Sequence, residues 1–315
     1  MTIRADKNTL LGLLALLLWS TTIATARSLA EALGPITAGA AVCMLGGALG
    51  LIARLPRGNP VSQFLALPRR YIIGCGALFI IYTVCLYAAI GLAADRSQVL
   101  AVGLLNYLWP TLTILFSLPL LRRRARVGLL PGTLLALFGI FLVRMHGADV
   151  SIRSLVSSLS SSPLVFALGL GAAISWALYS NLARLWGGKN SDGAVPAFIL
   201  ATGIVLLCIR MLRPEVSIFS VRAAAEVVFL STATALAYVF WDVAMRKGNA
   251  VFVVACSYLL PLLSTAISCA YLAVMPGASL WLGCLLIIGG SVLSRLSVEE
   301  KPAAPAPSSP QSISP

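Results

Sequence analysis

Long apolar segments follow one another along almost the whole chain, and no other feature of the sequence constrains its fold as strongly. A helix needs about 20 mostly apolar residues to cross the roughly 30 Å hydrocarbon core of a bilayer. Because 59% of the residues are apolar and only 10% are charged, little of the chain remains for a soluble domain. The sequence therefore predicts an all-α integral membrane protein with ten transmembrane helices, approximately at residues 10–27, 35–53, 71–92, 98–120, 128–144, 163–183, 194–211, 223–243, 249–272 and 279–295.

The basic residues are distributed unevenly between the two sides of this predicted bundle. Taken alone, the net charge of +13 and the run Arg122–Arg126 resemble a nucleic-acid-binding surface. Placing the N terminus inside, however, puts 16 of the 23 Lys and Arg residues on the inner side, which is the bias that orients membrane proteins. We therefore expect both termini to be cytoplasmic, and we expect the lipid bilayer rather than a nucleic acid to surround the chain.

The two ends of the chain need separate interpretations. Residues 299–315 are rich in Pro, Ser and Ala, a composition typical of disordered segments, so we predict a disordered cytoplasmic tail. The first apolar run follows Arg4 and Lys7 and imitates a cleavable signal peptide. Because Trp19 within it has a counterpart, Trp176, at the start of the second half, we interpret it as the first transmembrane helix.

The two halves of the chain repeat each other in register. An offset of 151 residues, without any gap, pairs Tyr107 with Tyr258 and Pro110 with Pro261. Each half carries five of the predicted helices, and an odd number gives the second half the opposite orientation in the membrane. We predict a first repeat over residues 1–150 and an inverted repeat over residues 151–298, a plan with which secondary transporters alternate access to a midplane site. The same offset also pairs Gly132 with Gly283, Gly139 with Gly290 and Arg144 with Arg295.

Several aromatic and polar residues lie at the predicted midplane, where a Tyr hydroxyl or an indole N–H needs a partner or a water-filled cavity. In the fourth span these residues share one helical face, and in the ninth span their counterparts do the same. Interhelical packing is the alternative explanation for any single residue. The candidate substrate-binding residues are Trp19, Thr22, Tyr82, Asn106, Tyr107, Trp109, Trp176, Tyr179, Ser257 and Tyr258, and the candidate helix kinks are Pro110 and Pro261.

Five other Trp and Tyr residues fit the aromatic belt at the membrane interfaces, which requires no function. They are Trp186, Trp241, Trp281, Tyr71 and Tyr271.

Ionisable side chains are missing from the middle of every predicted span. Glu226 and Asp242 lie towards opposite ends of the eighth span, and His146 follows the fifth. This pattern argues against a carboxylate-based proton antiporter and against a phosphate-bearing substrate. No catalytic acid–base pair can be assembled, and the seven cysteines lack ligand spacing, so we expect no enzyme, disulfide, metal or cofactor. The predicted midplane cavity, lined by aromatic rings, amides and hydroxyls without charged groups, suits a net-neutral solute with an apolar side chain.

Particular stretches of the chain are similar to a known family of carriers. The ten-helix layout resembles the EamA branch of the drug/metabolite transporter superfamily, and NYLWP is the most specific of the shared stretches. Within that branch the similarity is to bacterial inner-membrane aromatic amino-acid exporters, which implies export of amino acids from the cytoplasm. We expect the carrier to be a monomer. The stretches are GLLALLLWSTT (Gly12–Thr22), EALGP (Glu31–Pro35), LLNYLWPTLTILF (Leu104–Phe116), PGTLLALFGI (Pro131–Ile140), LAYVFWD (Leu236–Asp242) and SYLLPLLS (Ser257–Ser264).

The sequence thus favours a carrier that exports aromatic and other neutral amino acids by alternating access. An exporter of drugs or other metabolites is an alternative within the same superfamily, because an apolar aromatic cavity is permissive. A third alternative is a structural or signalling membrane protein, in which the repeats pack against each other and transport no solute. Solute transport into liposomes separates carriers from the third class, and competition among solutes separates the first two.

The predicted orientation is testable by cysteine labelling from outside the cell. A cysteine introduced near Ser157 should react with an impermeant thiol reagent, because the positive-inside bias places that loop outside. A cysteine near Arg124 should be protected until the membrane is permeabilised. The reverse labelling pattern would invert the topology and, with it, the direction of transport.

Overall fold

The structure, a computed structural model, describes residues 6–94, 98, 102–103, 105–145, 162–188, 194–264 and 278–299, and these are almost entirely helical. A 3₁₀ turn at Leu55–Arg57 and a π-helical turn at Tyr71–Cys75 precede α3 and α4 respectively. Two short strands, β1 (Arg124–Ala125) and β2 (Val298–Glu299), pair antiparallel. The helices are α1 (Lys7–Leu33), α2 (Pro35–Ile52), α3 (Pro60–Leu65), α4 (Gly76–Leu92), α5 (Trp109–Leu120), α6 (Leu129–Met145), α7 (Pro163–Trp186), α8 (Val195–Leu212), α9 (Val221–Lys247), α10 (Ala250–Ser257) and α11 (Ala278–Leu296).

The helices have the lengths and surfaces of a membrane bundle. Five are long and apolar enough to cross a bilayer, namely Pro35–Ile52, Tyr71–Leu92, Pro163–Trp186, Val195–Leu212 and Val221–Lys247. Large apolar side chains such as Leu17, Phe229 and Leu285 are exposed on the outside of the bundle, as lipid-facing residues are. The count of ten spans stays a prediction, since parts of the predicted fourth and ninth spans lie outside the described residues. Of the predicted tail, Glu299 lies in β2, and residues 300–315 lie outside the described part of the chain.

Local sequence signals set the ends of several helices. Asp6 accepts a hydrogen bond from the Thr9 N–H at 2.7 Å and caps α1, and Asn249 caps α10 through the Phe252 N–H. Gly34 ends α1 with a φ of 83°, a value that glycine adopts without strain. Pro35 then begins α2, where its missing N–H leaves no donor unpaired.

Hydrogen bonds between helix ends and the segments that connect the helices identify the two ends of the bundle. We call the end at which α1 begins the Lys7 face and the end at which α1 stops the Leu33 face. At the Lys7 face, the Asn249 N–H donates to the Thr9 hydroxyl at 2.9 Å. At the Leu33 face, the Glu215 carboxylate accepts from the Ile36 and Thr37 N–H groups at 3.1 and 2.8 Å. A carboxylate there also complements the positive end of the α2 dipole.

Glycines allow α6 and α11 to approach backbone to backbone. A Cβ on Gly290 would lie 2.5 Å from the Gly132 carbonyl oxygen, and one on Gly139 would lie 2.7 Å from the Gly283 carbonyl oxygen. The 151-residue offset converts each of these contacts into the other. Such reciprocity is what a two-fold axis between two helices produces.

This close approach predicts a large difference between two adjacent glycines of α11. Gly290→Ala should destabilise the protein by about 1–3 kcal/mol, because the added methyl group meets backbone atoms of α6 that cannot move aside. Gly289→Ala should be neutral or stabilise by up to about 1 kcal/mol through helix propensity, since its nearest neighbour would be Leu135 Cδ2 at 3.8 Å. Thermal unfolding of both variants in detergent measures the difference. Equal melting temperatures would contradict the packing described.

Candidate functional site

Aromatic rings from five helices gather around Trp176 of α7, which is only 2% exposed. The nearest ring centroid is that of Tyr82 at 4.8 Å, and Tyr179 follows at 5.1 Å. Edge-on and offset contacts of this kind contribute about 0.5–1.5 kcal/mol each beyond buried area. We call this set the aromatic cluster; it comprises Trp19, Phe79, Tyr82, Trp109, Trp176, Tyr179, Tyr238 and Trp241.

Helical spacing explains why these rings meet. Phe79 and Tyr82 on α4, Trp176 and Tyr179 on α7, and Tyr238 and Trp241 on α9 are each three residues apart, so each pair shares one face of its helix. Because α4 packs on α7 and α1 packs on α9, these faces point to a common centre. Trp19 of α1 joins them, 5.5 Å from Tyr238 and 5.4 Å from Trp241.

The cluster is closed towards the Lys7 face and more open towards the Leu33 face. Trp241 is 0% exposed and Trp109 is 5% exposed. Trp19, Tyr82 and Tyr238 touch the buried ring of Trp176 and are nevertheless only half-buried. Tyr82 and Tyr238 lie one helical turn from Phe79 and Trp241 in the direction of the Leu33 face, so the more accessible rings of the cluster lie on that side.

A buried acceptor without a donor lies beside these half-buried rings. Asn106 Oδ1 has no hydrogen-bond partner among the described residues, and the Asn106 amide is a polar neighbour of the Tyr82 hydroxyl. Leaving a buried acceptor unpaired costs about 1–3 kcal/mol. An N–H donor of a bound ligand would remove that cost.

The other predicted site residues lie outside the cluster or use their polar groups internally. The Tyr258 hydroxyl is 2.8 Å from the Thr111 hydroxyl, and Ser257 donates to the Val254 carbonyl oxygen at 2.6 Å. Thr22 donates to the Trp19 carbonyl oxygen, and Tyr107 is buried. The structure does not bring Ser257 or Tyr258 to the aromatic cluster.

The two candidate kink prolines follow breaks in their helices. Residues 107–108 and residues 258–259 form turns, and helix resumes at Trp109 and Leu260. Pro110 and Pro261 are therefore the second residues of new helical segments, where a missing N–H is tolerated. The two breaks are equivalent under the 151-residue offset.

The interpretation of Trp241 and Tyr71 as interfacial belt residues is wrong. Trp241 is 0% exposed and its indole Nε1–H donates to the Ser180 hydroxyl at 3.2 Å. Tyr71 is also fully buried. The rings of Trp19, Trp109 and Trp176 cover Trp241. Tyr71 packs against the ring of Phe198 at 5.6 Å, and its hydroxyl accepts the Ala194 N–H at 3.2 Å. Trp186 is half-buried, as a belt residue is, whereas the side chains of Tyr271 and Trp281 lie outside the described part of the structure.

A buried ion pair seals the Lys7 side of the cluster. Arg246 bonds to Asp242 Oδ2 at 2.8 Å, and each residue is 1% exposed. Tyr71 and Tyr179 donate to Asp242 Oδ1 at 3.2 and 3.1 Å, and Arg246 Nη1 donates to the Gly188 carbonyl oxygen at 3.0 Å. We call these groups the Asp242 network. It joins the π-helical turn before α4 to α7 and α9 at one face of the bundle.

The first half of the chain has no equivalent of this carboxylate. The 151-residue offset maps Asp242 onto Gly91, and no described atom lies within 4 Å of a Cβ built there. Sequence analysis placed Asp242 near the end of a span and missed its burial. An Asp and an Arg four residues apart in an otherwise apolar helix were the available signal. Glu226, the other carboxylate of α9, pairs with Arg222 at 2.9 Å.

Comparisons with known proteins give one consistent result. The EamA-like transporter family matches residues 7–145 and, a second time, residues 163–296. A solved crystal structure with 28% sequence identity superposes with a TM-score of 0.77 and covers 93% of this chain and 98% of its own. Relatives named aromatic amino acid exporter YddG are 32% identical in Escherichia coli (93% of this chain, 98% of the relative), 31% in Salmonella typhimurium (94%, 99%) and 31% in Ancylobacter novellus (91%, 96%).

The Asp242 network predicts different effects for single and double substitutions. Asp242→Ala should cost about 3–5 kcal/mol, because it leaves the Arg246 charge buried without its carboxylate. Asp242→Leu combined with Arg246→Met removes both charges and should cost clearly less. Thermal unfolding in detergent measures both. The control is Arg222→Ala, which breaks a pair whose Arg side chain is 80% exposed and should cost about 1 kcal/mol or less. A double variant as unstable as the single one would show that the ion pair does not hold this face.

Proposed function

This chain belongs to the EamA-like transporter family, and we propose that it is a bacterial inner-membrane carrier that exports aromatic and other neutral amino acids by alternating access. The observation that carries the substrate class is the aromatic cluster with the unpartnered Asn106 Oδ1 beside it. The relatives named aromatic amino acid exporter support the same class. Their match over nearly the full length of both chains supports a shared activity.

The substrate would lie on the Leu33 side of the cluster. Its ring or apolar side chain would pack against Trp19, Tyr82 and Tyr238, which are the half-buried members. Its ammonium group would donate to Asn106 Oδ1. No charged side chain belongs to the aromatic cluster, so a net-neutral solute would enter without leaving a charge unpaired.

Alternating access is supported by the difference between the two faces. With the N terminus in the cytoplasm, the Lys7 face is the inner face, and the Asp242 network closes it in this conformation. The half-buried rings on the opposite side border the path to the outside. To load substrate from the cytoplasm, the Lys7 side must open while the Leu33 side closes. The conformation described here would then release the substrate to the outside.

We propose further that residues 1–150 and 151–298 form two inverted five-helix repeats. Three observations support this arrangement. The family matches each half separately, the glycine contacts between α6 and α11 are reciprocal, and the helix breaks before Pro110 and Pro261 are equivalent. Inverted repeats related in this way exchange conformations to open each side in turn.

The cluster also favours a second candidate, an exporter of drugs or other metabolites. Its ring surfaces accept many apolar solutes, and only Asn106 and the hydroxyls confer polarity. The deciding experiment is counterflow of labelled phenylalanine in liposomes containing the purified protein. Competition by neutral amino acids, and weak competition by unrelated apolar compounds, is the expected result. Absence of phenylalanine counterflow would refute the proposed function.

Two substitutions separate ring recognition from recognition of the amino-acid head group. Trp19→Ala should slow transport of phenylalanine about fivefold, since stacking contributes about 1 kcal/mol, and should change threonine transport much less. Asn106→Ala should slow both solutes to a similar degree, because both carry the ammonium group. Initial rates, normalised to protein in the membrane, provide the measurement.

The control for these variants is Trp186→Ala, which removes a half-buried Trp outside the cluster. Its rates for both solutes should stay within about twofold of wild type. Equal losses of phenylalanine and threonine transport in Trp19→Ala would show that the ring contributes packing rather than substrate recognition.

A further inference from the structure

An open apolar groove lies at the Lys7 face, where α2 ends and α8 begins. Its volume is about 370 Å³, within the range of clefts that hold a small ligand. Among the described residues that line it, Asn59 is the polar one, and the Asn59 side-chain oxygen already accepts the Val61 N–H at 2.9 Å. We call it the α2–α8 groove; its apolar lining includes Ile52, Leu55, Val61, Phe64 and Ala197.

The short helix α3 forms one wall of the groove and turns apolar side chains away from the protein. Phe64 packs against the core of the bundle, whereas Val61 and Leu65, one turn apart, are 63% and 70% exposed. A helix that presents an apolar stripe at the end of a membrane bundle is typical of the membrane–water interface, where such side chains enter the acyl region. The groove therefore lies at the depth at which lipid headgroups meet their acyl chains.

The connection from α2 to α4 is strongly basic. Residues 53–70 contain four arginines and no aspartate or glutamate, and Arg69 and Arg70 at its end are exposed. The bias that orients membrane proteins accounts for the sign of this charge, but not for an apolar groove beside it. Basic side chains next to a pocket between helices at the cytoplasmic side are typical of a site for anionic lipid headgroups.

Tyr71 fixes the position of these two arginines relative to the groove. It directly follows Arg70, and its hydroxyl accepts the Ala194 N–H at 3.2 Å. Its ring packs on Phe198, with centroids 5.6 Å apart, and Phe198 follows Ala197, which lines the groove. The chain before α4 is thus held against the first turn of α8, so both arginines lie next to the α8 wall of the groove.

The connection from α8 to α9 at the Leu33 face differs in charge. It also exposes apolar side chains, since Val216 is 88% and Phe219 is 79% exposed. It contains Glu215, however, whose carboxylate accepts the Ile36 and Thr37 N–H groups. Because a carboxylate repels an anionic headgroup, the connection at the Lys7 face is the better match for an anionic lipid.

We propose that the α2–α8 groove binds one acyl chain of an anionic phospholipid from the cytoplasmic leaflet, given the cytoplasmic N terminus, with the lipid phosphate against Arg69 and Arg70. The apolar lining covers the chain, and the guanidinium groups bond to the phosphate through charge-assisted hydrogen bonds. A zwitterionic phospholipid offers the same chains and phosphate, but its own cationic group offsets the attraction. This lipid site goes beyond the proposed function and does not depend on it.

The test compares phosphatidylglycerol with phosphatidylcholine of the same acyl chains, each added to the full-length protein in detergent. Native mass spectrometry counts the bound lipids, and the first phosphatidylglycerol should bind about tenfold more tightly than the first phosphatidylcholine. Arg69→Gln combined with Arg70→Gln should remove most of this preference, because each arginine near an anionic lipid contributes about fivefold. The affinity for phosphatidylcholine should stay within about twofold.

The matched control for the charges is Arg122→Gln combined with Arg124→Gln, which removes two exposed arginines from another connection of the same face. Its affinity for phosphatidylglycerol should stay within about twofold of wild type. The melting temperature of each variant without added lipid checks that the protein is folded.

A second pair of variants tests the groove itself. Val61→Gln places a polar side chain in the apolar lining and should weaken binding of both lipids about fivefold. Val127→Gln makes the same change at a residue of the Lys7 face that is 95% exposed and lies outside the groove. It should bind both lipids as wild type does.

Three results would each overturn the lipid site. One is equal affinity of the wild-type protein for the two lipids. Another is an Arg69/Arg70 double variant that binds phosphatidylglycerol as tightly as the Arg122/Arg124 double variant. The third is a Val61→Gln variant with the affinities of Val127→Gln. Absence of phenylalanine counterflow would refute the proposed function and would leave the lipid site unaffected.

Discussion

The requirement that every polar group buried in hydrocarbon be hydrogen-bonded within the protein shapes the whole bundle. Most hydroxyls of the interior meet it by bonding to a carbonyl oxygen of their own helix, three or four residues earlier. Thr22, Thr113, Ser180 and Ser257 all do so. Residues that share a polar face in the sequence can therefore be satisfied locally and contribute nothing to a ligand. Against this background two atoms of the described residues stand out without a partner, Asn106 Oδ1 and the Ser231 hydroxyl. Of these, Asn106 lies beside a ring of the aromatic cluster.

The aromatic residues at the centre of the candidate site could be predicted from the sequence, but the Asp242 network on its Lys7 side could not. Trp19, Tyr82, Trp109 and Trp176 were identified because aromatic residues far from a span's ends are unusual, and Tyr179 because it lies one turn beyond Trp176; the structure brings these five together. Their role in binding stays a prediction. Tyr258 was chosen for its midplane position too, and Ser257 as a member of the polar stripe of the ninth span, but the contacts that satisfy their hydroxyls could not be read from the sequence.

The errors at Trp241 and Tyr71 have a common physical reason. Position along a span does not determine depth, because Trp241 is covered by rings from other helices and Tyr71 by Phe198 and Ala194. Burial at a helix end depends on such tertiary contacts, which periodicity does not report. The Asp242 network escaped detection for the same reason, since Asp242 and Arg246 have the spacing of an ordinary surface pair. What distinguishes the pair is that Tyr71 and Tyr179, from other parts of the bundle, also donate to the Asp242 carboxylate. The repeat places Gly91 where the second half has Asp242. In the alternating access that we propose, the two faces would therefore be closed by unequal interactions, and the relative stability of the two conformations would depend on that inequality.

The glycine contacts between α6 and α11 have a mechanical consequence. Residues that meet across a two-fold axis are displaced equally and oppositely when two halves exchange conformations, so the point of closest approach is the place of least movement. Backbone atoms held as closely as those of Gly132 and Gly290 leave no room for sliding and allow mainly rotation about the contact. In the exchange of conformations that we propose, this pair of helices would act as the fulcrum, and the aromatic cluster and the two faces of the bundle would move about it.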